Sequence, residues 1–493
     1  MNSKRIVVIG GGISGLALAH RISELSRELG IPARVTVLEA GPRLGGVICS
    51  QKKGEFLFEL GPDSFISEKP EVTRLAKRLG FENQLISTQD EYRQSYIVRS
   101  GKLIPVPKGL YLLAPTDLKA FLASPLVSWA GKLRMASEYL IPSKTDLEDE
   151  SLGQFVRRRF GREALRWIGE PMVAGIYSAD PERLSLEATF PRFREMEREY
   201  GSILRGFQKK LSESAKTKSP IRQILSEASG PRYSLFLSFR DGMSTLVDQL
   251  VRHSQAVSFR LNTRVELIRR SDEVWNIGLE SKETLQADSV CLALPAHQAG
   301  LLVSSFDAGL SQLLNDIPYE SVATVNVAVR RDAIRRPIRG FGFVVPRAEK
   351  RRLIGCTFSN MKFGGRAPES HMILRAFVGG VFQRELLQKS DQAIESAVFR
   401  DLSELLEIDG EPEDVVIRRA PKSMPQYEVG HLARVARIEE KARRHPHFYL
   451  TGNAFHGIGL PDCVREAEKT AELVMAQSVE DPATPSLESR SFA

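Results

Sequence analysis

Residues 5–39 constrain this chain more than any other stretch. Arg5-Ile6-Val7-Val8-Ile9 is a short apolar run rich in β-branched residues, which predicts a buried strand. It stops at Gly10-Gly11-Gly12-Ile13-Ser14-Gly15, a G-x-G-x-x-G turn. Leu16 to Leu29 then carries apolar residues at helical spacing, and a second run, Arg34 to Leu38, ends on Glu39. Each piece has a physical job in a Rossmann-like βαβ dinucleotide site. Gly10 permits the tight turn out of the strand, Gly12 lets the backbone approach a pyrophosphate, and Gly15 lets the helix pack close to the sheet. The N–H groups at the helix start face the phosphates. A carboxylate at Glu39 can accept hydrogen bonds from both ribose hydroxyls.

The acid favours FAD or NAD over NADP, whose 2′-phosphate it would repel. Directly behind it, Glu39-Ala40-Gly41-Pro42-Arg43-Leu44-Gly45-Gly46 resembles the second signature of flavoproteins with two dinucleotide-binding motifs. That resemblance implies FAD, with Arg43 near the phosphates and Gly45 and Gly46 allowing close backbone contact. No second G-x-G-x-x-G follows a strand, so no separate NAD(P)H domain is expected. The flavin would be reduced by its substrate and reoxidised by oxygen, a quinone or a carrier.

A chain of 493 residues accommodates two or three domains. Its 42% hydrophobic and 26% charged residues are ordinary for a globular protein with a core. The net charge of +8 fits a solvated basic surface, an anionic substrate or an anionic membrane surface. No nucleic acid partner is expected, because no binding motif accompanies the charge. Cys49, Cys291, Cys356 and Cys463 are far apart and form no C-x-x-C pair, which argues for a reducing compartment without a disulfide framework. No metal site is expected, since the histidines show no ligand spacing. Only Met1 to Lys4 precede the first strand, so no signal peptide is expected. No uncharged apolar stretch reaches bilayer length, which predicts a soluble or peripheral protein.

Farther along, Phe56 to Leu60 reads as a strand that meets the turn Gly61-Pro62-Asp63-Ser64, placed near the cofactor. Residues 95–210 change character: a hairpin-like entry, then helices around 116–123, 125–141, 151–160 and 161–179, broken by prolines. Ala120 to Gly131 carries Phe121, Leu122, Leu126, Val127 and Trp129 without a charge, edged by Lys108, Lys119, Lys132 and Arg134. Such a face can lie on an anionic membrane or cover a core. Residues 211–231 read as a polar surface loop. Short strands near 236, 257, 265 and 290 return the chain to the nucleotide domain. Residues 320–380 suggest an antiparallel sheet walling a second domain. A strand at Phe448 to Asn453 meets Gly457-Ile458-Gly459-Leu460, which opens a helix running to about 477, and the tail 478–493 is polar. The fold class is α/β, α+β overall. Residues 1–94, 232–300 and 440–477 form a discontinuous FAD-binding domain, 95–210 a helical domain, and 301–439 a substrate domain of mixed or antiparallel sheet.

Four motifs together resemble the oxygen-dependent protoporphyrinogen oxidases, with the bacterial coproporphyrinogen III oxidases as near relatives. They are Val-Val-Ile-Gly-Gly-Gly-Ile-Ser-Gly-Leu, Glu-Ala-Gly-Pro-Arg-Leu-Gly-Gly, Glu-Leu-Gly-Pro-Asp-Ser-Phe and the closing Gly-Ile-Gly-Leu-Pro-Asp-Cys. Gly175-Ile176-Tyr177-Ser178-Ala179-Asp180-Pro181 and Gly340-Phe341-Gly342-Phe343-Val344-Val345-Pro346 narrow the match within the wider amine-oxidase-like flavoproteins. The resemblance implies an FAD-dependent enzyme of haem biosynthesis that removes six electrons from a porphyrinogen in three cycles, passing them to O2 to give H2O2. It implies a membrane-associated helical domain, a cytoplasmic protein peripheral on the inner face of the cell membrane, and a homodimer.

The resemblance also assigns residues. Gly10, Gly11, Gly12, Ile13, Ser14, Gly15, Glu39, Ala40 and Val47 would hold the ADP half of FAD, with Val265 at the adenine. Gly61, Pro62, Asp63 and Ser64 would line the cofactor, and Asn453, Ile458, Gly459 and Leu460 would meet the flavin end. Gly175, Phe341 and Val344 would line the porphyrinogen pocket. Many protoporphyrinogen oxidases bind a substrate propionate with an Arg where this chain has Ser95, with Arg93 and Arg99 nearby. The Gln94-Ser95-Tyr96 strand is closer to the coproporphyrinogen-oxidising relatives. No residue stands out as a catalytic acid or base. An amine oxidase or carotenoid-type desaturase on the same fold is the alternative enzyme. A flavin-free lipid-escort module is a third reading, which the complete closing Gly-Ile-Gly-Leu turn disfavours.

Overall fold

β1 (Lys4–Ile9) lies at the centre of a five-stranded parallel sheet in the order Val257–Arg260, β2 (Ala33–Leu38), β1, Ser289–Leu292, Phe448–Leu450. Ile6 to Ile9 are all buried, because a parallel sheet is covered on both faces and its central strands read as continuous apolar runs. The computed structural model describes residues 3–111, 114–115, 117–146, 148–216 and 236–480. The strands of this sheet come from widely separated parts of the chain, as a discontinuous nucleotide domain requires. α1 (Ile13–Leu29) crosses over between β1 and β2 and packs its Leu16, Ala17 and Ile22 face against the closing helix Leu460–Glu480.

A seven-stranded mixed sheet forms the second layer, in the order Asp414–Pro425, Tyr319–Arg330, His371–Gly379, Gly355–Phe358, Gly342–Val344, Ser95–Arg99, Lys102–Pro105. Its long strand Tyr319–Arg330 shows why alternation matters. Ala323, Val325, Val327 and Val329 join the cluster that also holds Ile394, Val398 and Leu402 of the helix Asp391–Leu406. Ala328, on the opposite face, packs with Phe58 of the nucleotide side. Boundaries move relative to the sequence reading. Residues 95–105, grouped there with the helical domain, are the edge of this sheet, because Ser95–Arg99 pairs in parallel with Gly342–Val344. The helices Ala308–Asn315 and His431–Ala442, which begin within the residues grouped in that reading as the substrate domain, pack in one cluster with Val7, Ile9 and Leu292 of the nucleotide sheet.

The helical unit includes Leu118–Ala123, Trp129–Ala136, Leu152–Arg159, Glu170–Tyr177, Pro191–Tyr200 and Ile203–Lys216. Ser151 and Gln154 start the third of these with a reciprocal capping box. Residues 211–216, read as loop, are the end of the last helix. The remainder of that loop and the tail beyond 480 lie outside the described residues. Of the apolar residues singled out between 120 and 131, Phe121, Leu126 and Val127 are core, while Leu122 and Trp129 are exposed. None of the described helices is long and apolar enough to cross a membrane. All four cysteines are free.

Candidate active site

The glycine turn after β1 has the geometry its spacing demands. A Cβ on Gly10 would stand 2.4 Å from the carbonyl oxygen of Ala293, and one on Gly15 only 1.9 Å from that of Gly10. A Cβ on Gly12 would meet nothing within 4 Å, so the space in front of it is open to a ligand. Glu39 is held by two backbone donors: Gly11 N–H to Oε2 at 2.8 Å and Gly41 N–H to Oε1 at 2.7 Å. Gly45 N–H donates to Gly11 O at 2.8 Å, which joins the second signature to the first. Ala40, Gly46 and Val47 are exposed along this rim. Val265 starts the strand just beyond Thr263, whose N–H donates to Glu39 O.

Arg43 is turned back on its own loop, donating to the carbonyls of Leu44, Gly46 and Ile48. A second guanidinium meets it there. Arg418 donates through Nη2 to Gly46 O at 3.0 Å, and its buried Nη1 has no hydrogen-bond partner among the described residues. Burial, and then the neighbouring charge of Arg43, push Arg418 below its ordinary range. Two close cations beside an open glycine cradle suit a pyrophosphate. Nothing near Arg418 in the chain marks it; the strand register that sets it opposite Thr324 brings it here.

The Gly61–Ser64 turn packs directly on this rim: a Cβ on Gly61 would stand 1.9 Å from Val47 O. Asp63 is paired with Lys362, and Lys69, just past the turn, reaches Asp462 at 2.7 Å in the first turn of the closing helix. Ile13 of α1 and Leu460 and Cys463 of that helix lie in one core cluster. Two helix N-termini, each a positive dipole end, therefore lie side by side. The closing turn is fixed from behind. The buried Tyr427 hydroxyl donates to Asn453 O at 2.6 Å and accepts from Gly457 N–H at 2.9 Å. Its ring stacks on His431 at 3.9 Å between centroids, and His431 Nε2–H donates to Phe455 O. Burial pushes His431 down to about 4, so it stands there as a neutral imidazole.

On the other side, Val344 and Ile458 pack with Met172 and Tyr177 against the core of the helical unit. The structure thus brings the Gly342–Val344 strand, the helix carrying Gly175 and the closing turn to one place. Phe341 is fully buried, with its N–H on Gln94 O. Ser95 is buried and its hydroxyl has no partner among the described residues. The two arginines near it are already engaged. Arg93 pairs with Asp90 at 2.8 Å, and Arg99 donates to the carbonyls of Pro125 and Leu126 while lying 4.8 Å over Trp167. A groove of about 1190 Å³ among Arg134, Glu150 and Arg158 shares no residue with this site.

A family model described as flavin containing amine oxidoreductase matches residues 13–475. The chain belongs to this family. Among relatives within it, coproporphyrinogen III oxidase of Bacillus subtilis is 34% identical over 94% of this chain and 96% of its own length. Protoporphyrinogen oxidase 1 of Arabidopsis thaliana chloroplasts is 30% identical over 94% and 87%. A crystal structure from Exiguobacterium sp. 255-15, provisionally named a protoporphyrinogen oxidase, superposes with a TM-score of 0.84 at 32% identity, covering 97% of this chain and 100% of that one. Putrescine oxidase, at 16% identity and a TM-score of 0.66, shares the fold. As a flavin-containing amine oxidoreductase the chain uses FAD. The open cradle at Gly12, the fixed Glu39 and the paired Arg43 and Arg418 fit its ADP half.

Proposed function

We propose that this chain is an FAD-dependent porphyrinogen oxidase of haem biosynthesis, and that coproporphyrinogen III is its preferred substrate. The observation that carries the choice is the 34% identity over nearly the whole of a coproporphyrinogen III oxidase. Ser95, in place of a substrate-binding Arg, points the same way. Bound FAD supplies a two-electron acceptor, and oxygen takes the six electrons in three cycles. The chain's own part is position. Val344, Ile458 and Tyr177, each half-buried, offer an apolar wall to a flat macrocycle, whereas Phe341, which the resemblance places in that wall, is fully buried and can only back it. Arg347, whose N–H is held by Glu170 Oε1 at 2.8 Å at the seam between the Gly175 helix and the Val344 strand, is an exposed cation suited to a propionate. Holding a reacting C–H bond in line accounts for catalysis without a dedicated acid or base. Purified protein is expected to be yellow and to oxidise coproporphyrinogen III in air at least about tenfold faster than protoporphyrinogen IX, one decade being about 1.4 kcal/mol of transition-state discrimination. A faster rate on protoporphyrinogen overturns the substrate choice, and a yellow protein inert to both overturns the function.

The second part of the reading is peripheral attachment to an anionic membrane by the helical unit. Leu118, Leu122, Trp129, Leu133 and Leu140 are exposed within 23 positions of one another, next to the exposed Lys119. Of the four basic residues expected to edge this stretch, Lys132 is buried with its amine on Leu122 O and Arg134 is turned onto the carbonyls of Arg158 and Arg159, which leaves Lys108 and Lys119 exposed. Exposed large apolar side chains mark an interaction surface, and an apolar face with these two cations suits a lipid headgroup layer. Sedimentation with vesicles of anionic phospholipid is expected for the wild type and should be largely lost in Trp129→Ser/Leu133→Ser. Wild-type protein that stays in the supernatant sinks this part.

A further inference from the structure

Behind the Gly61–Ser64 turn lies a layer of buried charge. Lys362 ends the short helix Ser359–Lys362 and is only 5% exposed. Its ammonium donates to Asp63 Oδ1 at 3.2 Å, Asp63 Oδ2 at 3.0 Å and Ser64 Oγ at 2.9 Å. The Ser64 hydroxyl in turn donates a hydrogen bond to Asp63 Oδ1 at 2.8 Å. The rings of Phe236 and Phe363 cover the amine at 4.8 and 5.2 Å. Arg375, equally buried, braces the same turn from its backbone side. It donates to Glu59 O at 2.9 Å and to Gly61 O, and brings Nη1 to 3.7 Å from Asp63. Arg366 donates to Ser238 Oγ at 3.0 Å, and that hydroxyl donates to Asp63 O at 2.8 Å. The layer thus sets three buried cations, Lys362, Arg366 and Arg375, against Glu59 and Asp63, while a third carboxylate, the solvent-exposed Asp241, also acts on Arg366.

Stability alone is a poor reason for this arrangement. Replacing a buried ion pair with well-packed apolar residues is often neutral or stabilising, because the desolvation of both charges is avoided. The amine is also strongly hydrated in water and costly to bury. Burial pulls Lys362 downwards against the opposing pull of Asp63, while Asp63, which burial would raise, is held well below the usual carboxylate range by Lys362 and then Arg375. The Lys362 amine has three acceptors in place, Asp63 Oδ1, Asp63 Oδ2 and Ser64 Oγ, so the geometry holds an ion pair behind a turn that packs on the cofactor rim.

We propose that Lys362 is a positioning residue for the flavin: paired with Asp63 it fixes the Gly61–Ser64 turn, and with Arg375 it keeps a net positive charge there that raises the reduction potential of bound FAD. An added electron pair makes the cofactor more negative, and a fixed cation in a low-dielectric setting favours that state. The inference rests on FAD binding at this turn and is independent of which porphyrinogen is oxidised.

The test is the midpoint potential of the full-length, FAD-loaded protein, measured by equilibration with a reference dye. Lys362→Gln removes the cation but keeps a donor for Asp63 and Ser64. It is expected to shift the equilibrium at least about tenfold towards oxidised flavin, which for two electrons is about 30 mV. Asp63→Asn removes the anion and is expected to shift it as far the other way. A purely structural role would move neither variant, or both in one direction, and either result overturns the proposal while leaving the porphyrinogen assay untouched. Should a single variant lose FAD, Lys362→Gln/Asp63→Asn decides, because it restores both the hydrogen bond and the net charge. FAD retention with a potential within about 30 mV of wild type supports the pair. A double variant as deficient as the single overturns it.

Discussion

Gly12→Val is expected to fold and to purify colourless, whereas Gly15→Ala is expected to fail as a protein. The two positions lie three residues apart in one turn and would be interchangeable if glycine content alone mattered. Gly12 has φ −73° and ψ 179°, extended backbone that a β-branched residue adopts readily. Its added side chain points into open space. It therefore strains nothing in the chain, but it occupies the path by which backbone N–H groups reach the pyrophosphate. Losing two hydrogen bonds to a charged group costs about 4 kcal/mol, roughly a thousandfold in FAD affinity. The unfolding midpoint of the cofactor-free protein should stay within about 2 °C of cofactor-free wild type, less than 1 kcal/mol for a domain of this size. Gly15→Ala places a carbon 1.9 Å from a backbone oxygen that cannot move without shifting the end of β1. Overpacking of this kind costs about 3 kcal/mol or more. The ratio of flavin to protein absorbance, read with the unfolding curve, separates the two outcomes. A Gly12→Val protein that purifies with a full complement of flavin would remove the phosphate cradle from this turn.

Arg159→Met is expected to destabilise the protein by about 3–5 kcal/mol, the usual result of stripping one partner from a buried ion pair. Arg159 and Glu138 are both fully buried and face each other in the middle of the helical unit. Arg159 also donates to the carbonyls of Ile141 at 2.8 Å and Gly201 at 3.0 Å. Glu138 accepts from Ser202 Oγ and from Ile203 N–H at 2.9 Å, so it caps the helix Ile203–Lys216. Glu197 stands beside them and is shifted below its ordinary value: burial opposes this, and the hydrogen bonds from Arg158 at 2.6 and 3.0 Å outweigh it. The methionine leaves Glu138 buried and without its cation. Arg159→Met/Glu138→Gln should recover more than half of the loss, because an amide keeps the cap without the charge. Urea unfolding of the three proteins checks this. A single variant within about 1 kcal/mol of wild type would mean that water reaches Glu138 and that the network is not closed.

These buried partners mark the limit of what spacing reveals. The helix Leu152–Arg159 lies where the sequence predicts one, around 151–160, but nothing in Arg157-Arg158-Arg159 tells which of three successive arginines points inward. That depends on the helix phase and on the placement of Glu138 and Glu197. The exposed Trp129 and Leu133 and the buried Phe121, Leu126 and Val127 belong to one apolar stretch whose two faces separate only when its neighbours are in place. Residues 95–105 read as an entry to the helices because they precede them, yet the partner that claims them is Gly342–Val344.

What the sequence determined by itself is the nucleotide end of the site. The glycines, the helix start and Glu39 act through contacts within about forty residues, where strand and helix geometry leave little freedom, and the family resemblance extended this to the closing Gly-Ile-Gly-Leu turn. Only the tertiary structure decided which distant side chains stand beside it, Arg418 at Arg43, Lys362 under Asp63, and Tyr427 and His431 behind the closing turn, and that Arg99 is tied instead to the Pro125 carbonyl. Each joins segments far apart in the chain. A strand register or a crossover sets such a meeting, and a shift of one residue would turn the side chain to the opposite face.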